Sequence, residues 1–125
     1  MNSGPFSWRK RARGFVYAWR GIKALVLTEH NARIHCVAAL MALAAGWVLR
    51  ISAGEWVAVV LCIGAVLMAE GINSAIEAVC DMVSPERHPL IGRAKDIAAG
   101  AVLLMAVAAA LAGGIIFIPK IIALL

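Results

Sequence analysis

Charge is scarce in this chain. Asp and Glu number 7 and Lys and Arg 12, together 15% of the 125 residues, against about a quarter in an ordinary soluble domain. Hydrophobic residues make up 63%, and the mean hydropathy is +0.90. Such a composition excludes a soluble globular domain and points to an integral membrane protein. Cysteine is sparse as well. Cys36, Cys62 and Cys80 are odd in number and form no CxxC pair, so packed free thiols are expected rather than a disulfide framework. His30 and His35 miss the i, i+4 spacing of a helical zinc pair and His88 stands alone, which argues against a transition-metal site. No GxxxxGK run followed by Ser or Thr occurs, so a conventional P-loop is excluded. The N-terminus has bases but no apolar core leading to a small-residue cleavage site, and a removable signal peptide is not expected.

What is present is long apolar runs. Three spans of about 20 residues with their connections consume nearly the whole length, so an all-α, integral membrane protein with a single domain over residues 1–125 is expected. Residues 8–28 mix bases with Phe15, Val16, Trp19, Ile22, Leu25 and Val26 at spacings near three and four. That pattern predicts an amphipathic helix lying in the membrane interface. Transmembrane helices are predicted at 34–51, 56–83 and 96–118. Ser52 to Glu55 is read as a tight turn, Ser84 and Pro85 as the stop of the second span, residues 84–95 as a turn-rich loop, and Pro119 as the end of the third.

The bases set the orientation. Arg9, Lys10, Arg11, Arg13, Arg20, Lys23 and Arg33 all precede or open the first long apolar run. In a membrane protein such a cluster marks the cytoplasmic side and meets anionic lipid headgroups, so no nucleic acid partner is expected. Arg87, Arg93 and Lys95 make the 84–95 loop basic too. The N-terminus and that loop are therefore expected in the cytoplasm and the C-terminus outside.

Against this background the stretch MAEGINSAIEAVCD, residues 68–81, is anomalous. At about 100° per residue, Glu70, Asn73, Ser74, Glu77 and Asp81 share one helix face. Counting about 1.5 Å per residue from Trp56, Glu70 lies roughly 21 Å into the membrane and Glu77 roughly 32 Å, near the cytoplasmic headgroups. An ionised carboxylate at Glu70's depth costs on the order of 1–3 kcal/mol and belongs in a bundle interior or a water-filled site. One reading makes Glu70 a hydrogen-bonded register pin. The other divides labour, a deep acid taking a proton from a substrate that arrives through lipid and an acid nearer water holding a divalent ion. Glu29, at similar depth to Glu77, is a candidate second metal ligand, and Arg87, His88 and Lys95 could meet phosphates. A small proton-coupled transporter using Glu70 is the chief rival, and a non-catalytic assembly or anchor protein a third reading.

The motif E-x-x-N-S-A-I-E-x-x-x-D from Glu70 to Asp81, followed by HPLIGRAKDIAAGAVLL, closely resembles the signature of the prokaryotic diacylglycerol kinase family. The upstream stretch GFVYAWRGIKALVLTEHNARIH resembles that family's N-terminal region, so the likeness covers nearly the whole chain. The resemblance implies a three-span membrane lipid kinase of the bacterial cytoplasmic membrane, a homotrimer with active sites between subunits. It implies transfer of the ATP γ-phosphoryl group to a lipid hydroxyl with Mg2+. Carried over, Glu70 is the general base, Asn73 orients the site, and Glu29 and Glu77 are the magnesium ligands. Lys10, Tyr17, Glu29, Glu77, Glu86, Arg87, His88, Lys95 and Asp96 are implied at the nucleotide. Glu70, Asn31, Ala32, Arg33, Ile34, His35 and Ala99 are implied at the lipid. The run E-x-N-x-R-I-H from Glu29 to His35 resembles the undecaprenol kinase branch more than the diacylglycerol branch. Asp81 is read as a helix-end or loop-fixing contact.

Overall fold

The computed structural model describes residues 4–86 and 88–125. Four helices follow one another, α1 Trp8–Thr28, α2 His30–Val48, α3 Ala53–Val83 and α4 Pro89–Leu124. The last three are long and apolar enough to cross a membrane. α1 buries none of its residues in the chain, and Phe15, Trp19 and Ile22 stand exposed on it.

The joint between α1 and α2 is one residue. Glu29, at φ −101° and ψ 116°, is extended, and its N–H donates to the Leu25 carbonyl. Arg33 then reaches back, its Nε donating to the Val26 carbonyl at 2.8 Å and its Nη2 to that of Leu27. Those two carbonyls belong to the last turn of α1, where no intrahelical donor remains. The first span therefore starts at His30 rather than 34, because Glu29 can serve α1 as C-cap and α2 as N-cap.

The turn after α2 lies a little earlier than the Ser52 to Glu55 turn expected from the sequence. Arg50 takes a left-handed φ of 53°, Arg50 N–H donates to Trp47 O, and Ile51 N–H donates to Gly46 O at 3.2 Å. This is the Schellman pattern, with Ile51 folding back on Gly46. Ser52 is already the cap of α3. Its hydroxyl accepts from Glu55 N–H at 3.2 Å, and its own N–H donates to Glu55 Oε1 at 2.9 Å. Because that reciprocal capping box supports a first turn at Ala53, α3 begins there instead of at 56.

The third span departs most from expectation, running from Pro89 to Leu124 instead of 96–118. Proline at the first helical position has no donor to waste and its φ is already helical, while His88 Nδ1 accepts from Leu90 N–H at 3.2 Å. The connection after α3 shrinks accordingly to residues 84–88. Pro119 sits inside the helix without ending it. It removes one ladder donor near the terminus, a loss membrane helices tolerate, and beyond it Lys120 Nζ meets Glu55 Oε1 at 3.1 Å.

α3 packs along α4 and, less extensively, against α2. Its best-packed end joins Ile51, Val59 and Ile116 with Trp56 and Phe117. Gly46 is needed there, because a Cβ at that position would lie 2.8 Å from Trp56 Cη2 and 2.9 Å from Ile51 Cδ1. Elsewhere large side chains such as Leu104, Leu111 and Ile115 point outward, the arrangement of a chain whose solvent is hydrocarbon.

Candidate functional site

At the other end of α3 the packing encloses a carboxylate. Glu70 is 2% exposed, the most buried polar residue described. Its Oε1 stands 3.4 Å from Nε2 of His35 on α2. One turn on, Asn73 is 9% exposed and its Nδ2 faces Glu77 Oε1 at 3.5 Å, a long contact. Asn73 Oδ1 and Ser74 Oγ are buried with no hydrogen-bond partner among the described residues. Buried polar atoms are nearly always paired in folded proteins, so these two have hydrogen-bonding capacity to spare beside the buried acid.

Beside this face runs an open groove of about 760 Å³, whose walls include Gly21 and Leu25 of α1, Cys36 of α2, and Gly64, Gly71 and Ala78 of α3. Its polar members are Glu29, Ser74 and Thr28, and Thr28 Oγ1 is already spent on the Ala24 carbonyl at 2.6 Å. An apolar trough with a few polar groups at one edge suits an amphiphile. Glu29 shares this groove with Gly71 and Ser74 of α3, whereas Glu70 and Glu77 are not among its walls. The described residues hold no cluster of three or more His, Cys, Asp or Glu able to bind a metal alone. Carboxylate oxygens in ones and twos fit magnesium, which takes its remaining ligands from water and phosphate.

The other residues implied by the resemblance are dispersed. Lys10 and Tyr17 are exposed on α1, and neither lines the groove that holds Glu29. Tyr17 is about 100° round the helix from the groove-lining Ala18, and its ring lies under the Arg20 guanidinium carbon at 5.7 Å. Glu86 is exposed and accepts through its backbone from Ser84 Oγ at 2.7 Å. His88 caps α4, Asp96 is exposed at its start, and Arg87 lies outside the described residues. Lys95 pairs with Asp81 at 2.5 Å, fastening the end of α3 to the beginning of α4. Asp81 therefore makes the helix-end contact expected of it.

Of the residues implied at the lipid, Asn31, Ile34 and Ala99 are exposed. Ala32 is 0% exposed and serves packing within the chain. Arg33 is occupied with the α1 carbonyls, a role sequence reasoning missed, since the partner carbonyls lie across a helix break whose place was not foreseen. The contact of His35 with Glu70 was missed as well; the two lie on different helices, and no local spacing announces it.

The sequence model of prokaryotic diacylglycerol kinase matches residues 16–117. The chain is 41% identical over 108 residues to an undecaprenol kinase of Bacillus subtilis, covering 86% of this chain and 88% of that protein. A diacylglycerol kinase of Escherichia coli K12 is 38% identical over 93 residues, 74% of this chain and 76% of its own length. One of Synechocystis is 37% identical over 112 residues, 89% of this chain and 64% of that longer protein. The match takes in the acidic face of α3, the Glu29 joint and the start of α4, and the chain belongs to the prokaryotic diacylglycerol kinase family.

Proposed function

We propose that the chain is a lipid kinase of the bacterial cytoplasmic membrane that transfers the γ-phosphoryl group of ATP to a lipid hydroxyl. The observation that carries this reading is Glu70, a carboxylate 2% exposed within an apolar bundle, one turn from two buried polar atoms without partners among the described residues. As the lipid oxygen attacks the γ-phosphorus, Glu70 accepts the hydroxyl proton, the bond to the bridging oxygen breaks and ADP leaves. Such a reaction needs positioning and charge neutralisation more than covalent chemistry from the protein. Glu29 and Glu77 would hold Mg2+, which supplies charge neutralisation at the phosphates when bound. Asn73 faces Glu77 and orients it, while Lys95 and Asp96, with Lys10, Tyr17, Glu86, Arg87 and His88, serve the nucleotide.

The N-terminal helix lies in the interface with its bases and the 84–88 connection in the cytoplasm, and the C-terminus is outside, in accord with the distribution of Lys and Arg. A homotrimer agrees with the dispersal of the nucleotide residues over the exposed surface of one protomer, because a neighbour could supply what a single chain leaves apart. Undecaprenol is the favoured acceptor, supported by E-x-N-x-R-I-H and by the 41% identity to an undecaprenol kinase against 38% to a diacylglycerol kinase. Glu70 alone would also suit a proton-coupled transporter, but the likeness to named kinases along most of the chain favours phosphoryl transfer.

Purified protein in micelles, given MgATP labelled in the γ-phosphate, is expected to label undecaprenol in preference to diacylglycerol. Glu70→Gln should lower the rate by about 10²–10⁴-fold, the usual worth of a general base. No transfer to either lipid, or full activity in Glu70→Gln, would refute the mechanism.

A further inference from the structure

His35 is assigned by the resemblance to the lipid, yet its imidazole is turned to the acid. Its Nε2 is 3.4 Å from Glu70 Oε1, with the two side chains 23% and 3% exposed. No other side chain among the described residues forms a hydrogen bond or ion pair with Glu70. A carboxylate this deep needs at least one donor, and His35 stands where that donor belongs. Side chains that hold a catalytic group commonly do so through one oxygen, leaving the other for the reaction. The distance is longer than an ideal hydrogen bond, as such contacts often are before substrate is bound.

His35 also lines a second, smaller cavity of about 280 Å³ between α2, α3 and α4, walled by Ala39, Cys62, Val66 and Ala109 among others, and Glu70 is not among its walls. The groove that would admit a lipid lies elsewhere, against Gly71 and Ser74.

We infer that His35 is a positioning residue for Glu70. Its Nε2–H donates to Glu70 Oε1, fixes the carboxylate against rotation and leaves Oε2 for the lipid hydroxyl. The inference rests on the reading of Glu70 as the base. It differs from a lipid-contact role in the kinetic constant affected: a lost lipid contact raises KM for the acceptor, whereas a misaimed base lowers kcat.

The experiment compares His35→Ala, His35→Gln, His35→Asn and Glu70→Gln in micelles, measuring kcat and KM for undecaprenol and MgATP, with an unfolding titration of each. Glutamine places an amide N–H close to where Nε2 stood, and asparagine does not reach it. Expected are a kcat loss of about 10- to 100-fold in His35→Ala, typical of supporting partners, with both KM values within about twofold, recovery of most of kcat in His35→Gln, and no recovery in His35→Asn. A rise in KM for the lipid with kcat intact would overturn the inference, as would equal kcat losses in all three His35 variants. If Glu70→Gln is inactive while His35→Ala is unimpaired, the inference alone fails; if Glu70→Gln is fully active, the proposed mechanism fails with it.

Discussion

Replacing Gly46 with alanine tests whether the α2–α3 pair is held as closely as described. The added Cβ would sit 2.8 Å from Trp56 Cη2, 3.1 Å from Trp56 Cζ2 and 2.9 Å from Ile51 Cδ1. Carbon atoms rest comfortably at about 3.5–4.0 Å. Ile51 can swing its terminal methyl away, but the indole is rigid, so the helices must part or Trp56 must leave its rotamer. Overpacking of this kind costs about 1–3 kcal/mol, and the better helix propensity of alanine returns about 1 kcal/mol. Gly46→Ala should therefore be about 1 kcal/mol less stable than the parent protein. Gly92 on α4 provides the control, since a Cβ there meets nothing within 4 Å, and Gly92→Ala should gain about 0.5–1 kcal/mol. Reversible unfolding by denaturing detergent in mixed micelles would measure both. If Gly46→Ala proves as stable as Gly92→Ala, the close approach of α2 to α3 is wrong, and the register that sets His35 opposite Glu70 loses its anchor.

Two further outcomes concern the charged residues. Glu77→Gln should shift the magnesium titration of activity to higher concentration, and an unchanged titration would count against its role as a ligand. Asp81→Asn frees Lys95 from the contact joining α3 to α4; the unfolding midpoint should barely move, because both side chains are substantially exposed, whereas KM for MgATP should rise several-fold if Lys95 serves the nucleotide. A large loss of stability with unchanged KM would make the pair purely structural.

Helices were legible wherever periodicity and caps are local. The 8–28 helix matches α1, Trp8–Thr28, and the end of the second span at Val83 also agrees. The remaining ends moved for reasons written in residues whose meaning depends on context. Ser52 and Glu55 spell a capping box as readily as a turn. Pro89 starts a helix where proline usually suggests a loop, and Pro119 fails to stop one. Glu70, Asn73 and Glu77 could be placed on one face because they share a helix. Azimuth also made Asp81 part of that face, but its partner Lys95 lies across a short connection. What the sequence could not disclose is tertiary: the turn of His35 toward Glu70, the hold of Arg33 on α1, and the complete burial of Ala32.

The single-residue joint at Glu29 also has a mechanical side. α1 has 21 residues and is about 31 Å long, and Arg33 clamps its last carbonyls to α2. The bend at Glu29 is therefore held by a side chain as well as by the backbone, and the direction in which α1 carries Lys10 is set within that one joint.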